Sequence, residues 1–240
     1  MRSSNPVFRS LERSEVFAST EVATYSGIIM KTAIMLLTAV ITGFLAVNFL
    51  GALSYPLLIV AMIVALISVL VASRSPRLAP TFSMVYAVAE GVLLGVITLI
   101  FEVLFPGVAI AAVIGTASIF TVMLFLYSSR TIRVTPRFRK IMYGMLLGIL
   151  LFFVSSMLIN LFARTPVIVF SNSAMLLISG LLIVFGAFML TLDFDRAEQI
   201  VNGGFGKEYE WLVALGLMVT IVWIYLELLR FLAIISSNRR

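Results

Sequence analysis

The chain has 240 residues, of which 62% are hydrophobic and 12% charged. Soluble globular domains are about half apolar and about a quarter charged, so this composition excludes that class. The 17 Lys and Arg outnumber the 11 Asp and Glu, but they lie between apolar stretches rather than in one patch. That placement indicates a membrane protein and not a nucleic-acid-binding protein. Because His and Cys are absent, disulfides, zinc sites and Ser-His-Asp triads are excluded.

Seven apolar windows are long enough, or nearly so, to cross a bilayer, which takes roughly 20 helical residues. In chain order they are Ile28–Leu50, Pro56–Ala72, Phe82–Phe101, Val108–Tyr127, Ile141–Phe162, Ala174–Leu192 and Trp211–Ile235. The sequence therefore predicts an all-α integral membrane protein with seven transmembrane helices. We expect a polar N-terminal tail over residues 1–27, a transmembrane domain over 28–237 and a short C-terminal tail over 238–240. The first tail has no apolar stretch and is not expected to be a cleavable signal peptide.

The basic residues predict the orientation, because cytoplasmic connections are enriched in Lys and Arg. The odd-numbered connections are nearly bare of basic residues, with only Arg164 in the fifth. The tail and the even-numbered connections hold Arg2, Arg9, Arg13, Arg74, Arg77, Arg130, Arg133, Arg137, Arg139, Lys140, Arg196 and Lys207. The N-terminus is therefore expected in the cytoplasm. Arg239 and Arg240 conflict with an external C-terminus, so either they are tolerated there or the last segment does not fully cross. The length of the last window favours seven crossings.

Glu90 is predicted at membrane depth, about 12 Å along the third helix. A charge there costs at least about 2.5–3.5 kcal/mol, so Glu90 needs a partner on another helix, water or a proton. Glu90 either has a functional role or makes an inter-helix hydrogen bond that only stabilises the helix bundle. The neighbouring Gly91 and Gly95, four residues apart, are typical of close helix packing.

Three carboxylates, those of Asp193, Asp195 and Glu198, follow the sixth window within six residues. They form either a solvated helix end, with Arg196 neutralising one of them, or an acidic lip that holds a cation or shares a proton.

Two other charged side chains, those of Glu227 and Lys31, lie within predicted transmembrane helices. Glu227 shares a helix face with Arg230, which predicts an ion pair, with a carboxylate lining an internal path as the alternative. Lys31 is expected simply to extend to the cytoplasmic interface.

Several membrane chemistries are excluded. Retinal binding needs a buried Lys in the last helix, and the chain's three lysines, Lys31, Lys140 and Lys207, lie elsewhere. An intramembrane aspartyl protease needs two facing aspartates at depth, whereas Asp193 and Asp195 lie at the edge of one helix. Phosphate-loop and dinucleotide motifs are absent from the sequence. We therefore expect no enzymatic activity and no cofactor.

Three stretches resemble the Bax inhibitor-1 family. Gly115–Thr121, GTASIFT, resembles the family's GTA-x-IFT stretch. Phe194-Asp195 followed by Gln199-Ile200 resembles the signature that closes its sixth helix. Leu228–Phe231 followed by Ile235–Ser237 resembles the end of its final helix. The resemblance extends over roughly residues 31–237 and is closest to the bacterial branch.

This resemblance implies six helices around a central seventh, and a pH-sensitive calcium leak pathway closed by two aspartates and an arginine. The first aspartate corresponds to Asp195, with Asp193 as a neighbour that could share its role. Thr220 stands at the position of the second and cannot ionise. We expect Glu90 to replace that carboxylate, facing Asp195 beside Thr220. The arginine corresponds to Arg74, the predicted latch.

The resemblance leaves a second function open, because bacterial members also bind and restrain a membrane-bound quality-control protease. The tail over residues 1–27 and the basic connection from Arg130 to Lys140 would be the docking surfaces. A transporter of an unidentified solute is a third option. The expected surroundings are a bacterial inner membrane, with Ca²⁺ or protons as the ions, no nucleic-acid partner and a monomeric state.

Overall fold

The computed structural model describes residues 21–49, 55–163 and 171–238. Seven α-helices lie in these ranges: α1 Tyr25–Phe49, α2 Tyr55–Arg74, α3 Ala79–Leu104, α4 Val108–Ser128, α5 Pro136–Ala163, α6 Asn172–Asn202 and α7 Tyr209–Ser237. Within these ranges the β-structure is limited to one antiparallel bridge between Val22 and Gly206. The predicted all-α fold is confirmed.

Six of the described helices are long and apolar enough to cross a membrane, and the apolar part of α2, Leu58–Arg74, is shorter. Large apolar side chains such as Val103, Phe125 and Met157 are more than two-thirds exposed on these helices. Such a surface suits lipid rather than water. The chain is therefore a multi-pass membrane protein. Helix α7 is the most buried span, with 56% of its most apolar window buried against 6% for α5.

The helices extend beyond the apolar windows because polar residues start and continue them. Helix α5 begins at Pro136, where the preceding Thr135 accepts the Phe138 N–H at 3.1 Å. This is an N-cap followed by a proline at the first helical position. Helix α6 continues to Asn202, ten residues beyond the predicted window. The acidic residues after Leu192 therefore lie on a continuing helix.

The chain forms two compact units. The first contains α1, α2, α3 up to Leu93, and the described residues 196–216. Within it α1 and α3 approach closely at Gly91, where an added Cβ would lie 2.4 Å from the backbone oxygen of Ala39. The packing predicted for Gly91 is confirmed.

The second unit contains the rest of α3, helices α4 and α5, α6 up to Asp195, and α7 from Leu217. Two buried clusters form its core. Val108, Ala112 and Leu229 join α4 to α7. Met142, Phe185 and Leu192 join α5 to α6.

Some predictions lie outside the described residues. They concern the tail before Glu21, the connection over residues 50–54, Arg164, and the terminal Arg239 and Arg240. The boundary predicted at residue 27 falls inside a helix, because α1 begins at Tyr25.

Candidate functional site

Asp193 on α6 accepts a hydrogen bond from the Thr220 hydroxyl on α7, with 2.6 Å between Thr220 Oγ1 and Asp193 Oδ2. Thr220 is buried and Asp193 half-buried. The contact joins α6 to α7 through one side-chain hydrogen bond. Thr220 was expected as a hydrogen-bonding neighbour where Glu90 faces Asp195, which stays a prediction, and its bond to Asp193 is an additional contact.

Asp195, two residues further along α6, pairs with Arg139 in the first turns of α5. The distance between Arg139 Nη2 and Asp195 Oδ2 is 2.5 Å, and the two side chains are 40% and 19% exposed. Sequence reasoning placed Arg139 in the basic connection and missed this role. A signal was present, because the orientation rule puts Arg139 and the acidic end of α6 on the same side of the membrane.

Phe194 lies between the two aspartates and is buried. Its ring contacts Phe120 edge-on, with 5.5 Å between centroids, and Tyr127 at 5.8 Å, both on α4. Consecutive residues of an α-helix are about 100° apart around its axis, so these three side chains point in different directions. The end of α6 thus contacts α4, α5 and α7 within one unit, and each aspartate has a different neighbour.

Glu227 on α7 is a buried carboxylate with several partners. Arg230 Nη1 lies 3.2 Å from Glu227 Oε1, which confirms the predicted ion pair. The buried Ser179 hydroxyl of α6 and the Trp223 side chain also hydrogen-bond to Glu227. These contacts give the buried carboxyl group of Glu227 hydrogen-bond partners. A role for Glu227 in an ion pathway stays a prediction.

Glu90 and Arg74 belong to the first unit. Glu90 is half-buried on α3, and Arg74 is exposed as the last residue of α2. Their predicted contacts with Asp195 stay predictions. In the described part of the chain, no group of three or more His, Cys, Asp or Glu could hold a metal ion.

Sequence reasoning also missed Glu210, whose side chain is fully buried in the first turn of α7. Lys31 of α1 pairs with it and also donates to the Lys207 carbonyl oxygen at 3.2 Å. The Thr24 N–H donates to Glu210 Oε1 at 2.8 Å. The expectation that Lys31 simply extends to the interface is wrong, because its side chain is 13% exposed and holds a buried carboxylate.

The segment before α1 is attached to the connection between α6 and α7. The Ala23 N–H donates to the Phe205 carbonyl at 2.8 Å, and the exposed Lys207 pairs with Glu21. The Lys207 ammonium lowers the pKa of the Glu21 carboxyl, and the carboxylate raises the pKa of Lys207. Residues 21–24, just before α1, are therefore held against the α6–α7 connection by hydrogen bonds and an ion pair.

The family-like stretches pack against one another in the second unit. Phe120, from the stretch on α4, contacts Phe194 of the stretch on α6. Gly115 lies against Leu228 of the stretch on α7, since an added Cβ would be 3.1 Å from a Leu228 methyl carbon. The similarity is therefore concentrated where three helices meet.

Comparison with known proteins agrees with this arrangement. No curated protein sequence matches the chain. A family profile described as Bax inhibitor 1 like matches residues 5–237, nearly the whole length. The chain belongs to the Bax inhibitor 1 like family of membrane proteins.

Proposed function

We propose that the protein is a cation leak pathway, with Ca²⁺ as the permeant ion and the acidic end of α6 as its gate. The observation that carries this proposal is that Asp193 and Asp195, on one helix, are held from two different helices by Thr220 and Arg139. A change of charge on either aspartate therefore alters a contact between helices. The family resemblance of the acidic end of α6 implies the same function.

The gate responds to protons in this proposal. Ionised Asp195 attracts a guanidinium group, and its protonated form does not. We assign Arg74 as the latch that binds the ionised acidic lip at the end of α6. We assign Glu90 as the carboxylate that replaces the second aspartate of the family. The charged side chains around Asp195 are then Arg139, Arg74 and Glu90 from other helices, and Asp193, Arg196 and Glu198 on α6 itself. Protonation releases the latch, so flux rises as the pH falls.

The test is Ca²⁺ flux into liposomes that contain the purified protein, measured across a range of pH. Asp195→Asn mimics the protonated residue and should raise flux at neutral pH while flattening the pH dependence. Glu90→Gln should flatten it as well, and Arg74→Gln should raise flux at neutral pH. Glu208→Gln, in the connection between α6 and α7, is the control. If Asp195→Asn and Glu90→Gln both retain the pH dependence of the wild type, the assignment is wrong.

The proposal includes the arrangement and location that the family resemblance implies. Six helices surround a central α7, which is supported by the high buried fraction of that helix. The chain acts as a monomer in a bacterial plasma membrane with its N-terminus in the cytoplasm. The basic connections support that orientation.

A second candidate function is binding of a membrane-bound quality-control protease. It is favoured by the attachment of residues 21–24 to the α6–α7 connection, because this fixes where the preceding tail leaves the helices. Deleting residues 1–20 distinguishes the two functions. A leak in liposomes should survive the deletion, whereas co-purification of the protease should be lost.

A further inference from the structure

Arg139 differs from the other basic residues near the start of α5. It is half-buried and contacts Asp195, whereas the other four are exposed. Those four are Arg130, Arg133, Arg137 and Lys140. The enrichment of Lys and Arg in cytoplasmic connections explains why this segment is basic. It does not explain why one guanidinium group lies half-buried against a carboxylate.

The backbone that carries Arg139 is fixed on both sides. Thr135 caps the helix start, and its carbonyl oxygen accepts the Arg139 N–H at 3.0 Å. Phe138 packs edge-on against Phe188 of α6, with 6.1 Å between ring centroids. Met142, one turn later, is buried in the cluster that joins α5 to α6. Arg139 is thus presented to α6 from a rigid helix start.

This placement is electrostatically unfavourable for Arg139 unless an anion is near. The first turns of a helix carry the positive end of its dipole, which repels cations. Asp195 offsets that repulsion through a charge-assisted hydrogen bond in a partly buried setting, where charges interact more strongly than in water. Arg139 and Asp195 therefore depend on each other.

We propose that Arg139 is the resident counter-ion of Asp195 and that a cation enters the pathway only when this guanidinium is displaced. The inference rests on the proposed leak function and assigns to Arg139 the regulation of the same gate. Arg139 acts as a positioning residue, because it occupies the carboxylate that an incoming cation would otherwise meet. It acts from α5, independently of the latch assigned to Arg74.

The first test measures Ca²⁺ flux in liposomes at one fixed neutral pH. Arg139→Gln should raise the flux about three- to tenfold, which corresponds to about 0.7–1.4 kcal/mol, the typical net contribution of one intramolecular hydrogen bond. Arg139→Lys keeps the positive charge, so its Ca²⁺ flux should stay close to the wild-type value. The matched control is Arg137→Gln, an exposed position two residues earlier with the same loss of charge, which should leave the flux unchanged. Equal flux in the two Gln variants would overturn the inference.

A charge exchange separates pairing from a structural role. Asp195→Arg combined with Arg139→Asp should pass less Ca²⁺ than Asp195→Arg alone, because the pair is restored with its signs reversed while the carboxylate assigned to Arg74 is missing from both variants. Thermal unfolding in detergent checks that each variant is folded. A folded exchange variant that leaks as much as Asp195→Arg argues against pairing and overturns the inference.

The absence of Cys from the sequence allows a second test. Arg139→Cys with Asp195→Cys can be joined by a short bis-methanethiosulfonate reagent and released by a reductant. Cross-linking should lower the flux, and reduction should restore it. Arg137→Cys with Asp195→Cys is the control. If Asp195→Asn raises the flux but the Arg139 variants do not and the cross-link does not lower it, this inference fails and the leak function stands. If neither the wild type nor Asp195→Asn passes Ca²⁺, this inference and the proposed leak function both fail.

Discussion

The Lys31 ammonium lies against the carboxylate of Glu210, and this pair joins the second turn of α1 to the first turn of α7 in the first unit. The Glu210 side chain is fully buried, and Thr24 supplies further donors from its backbone N–H and its hydroxyl. A buried charge needs a partner because its desolvation is expensive. The interaction therefore makes the start of each helix depend on the other.

Replacement of Lys31 by Met should lower the free energy of unfolding by about 3–5 kcal/mol, because it leaves Glu210 buried without its cation. The double variant Lys31→Met, Glu210→Gln should recover part of that loss, since the neutral amide oxygen still accepts from Thr24. Chemical unfolding in detergent micelles measures both effects.

The control for this prediction is Lys207→Met. It removes the same charge from a pair with a glutamate, but both partners, Lys207 and Glu21, are exposed. Exposed pairs contribute little to stability. Equal destabilisation by Lys31→Met and Lys207→Met would contradict the account.

The Glu210 carboxylate also leaves no room for a side chain at position 27, which is glycine. An added Cβ at Gly27 would lie 2.2 Å from Glu210 Oε2, and the carboxylate is fixed by Lys31 and Thr24. Gly27→Ala should therefore destabilise the fold in spite of the better helix propensity of alanine. At Gly144 on α5 an added Cβ meets nothing within 4 Å, so Gly144→Ala should be neutral or stabilising by about 0.5–1 kcal/mol. Thermal unfolding compares the two, and a stabilising Gly27→Ala would refute the contact.

The hydrogen bond from Thr220 to Asp193 can be removed with little change of shape. Thr220→Val keeps the volume but loses the hydroxyl, so it should cost about 1–3 kcal/mol by leaving Asp193 without this donor. Thr220→Ser keeps the hydroxyl and should lose less. Unfolding in detergent measures the difference. A Val variant as stable as the wild type would show that the bond contributes nothing to stability.

The pair of Glu21 and Lys207 predicts a pH window for the attachment of residues 21–24. The pKa of Glu21 is lowered and that of Lys207 is raised, so the pair contributes fully between the ordinary values of the two groups. The contribution is lost as the pH falls through the lowered Glu21 value, or rises through the raised Lys207 value.

Hydrogen exchange of the Ala23 amide, which donates to Phe205, measures this attachment. At neutral pH, Lys207→Gln should speed its exchange relative to the wild type. Below the lowered pKa of Glu21 the two proteins should exchange alike. Comparison at equal pH removes the intrinsic pH dependence of exchange. A difference that persists unchanged in acid would count against the pair.

Features set by nearby residues were predictable. The helices followed from the length of the apolar windows, and the pair of Glu227 and Arg230 followed from a spacing of three residues on one helix. The close approach at Gly91 followed from its small size beside apolar neighbours.

Contacts between distant residues were not predictable in the same way. Lys31 and Glu210 are 179 residues apart, and Arg139 and Asp195 are 56 apart. Neither helical periodicity nor the charge rule specifies which basic residue meets which acid. The choice of Asp193 as an acceptor for the Thr220 hydroxyl has a similar origin. It depends on the rotation of α6 about its axis, and the continuous apolar surface of that helix leaves this rotation undetermined.

Thr24 caps α1 through its side chain, which accepts the Gly27 N–H at 3.0 Å, and it also donates to Glu210. Thr24 and Glu210 are 186 residues apart, so the residues that complete this capped end are synthesised well after α1 itself. A product truncated before Tyr209 would retain Lys31 without the buried carboxylate that pairs with it.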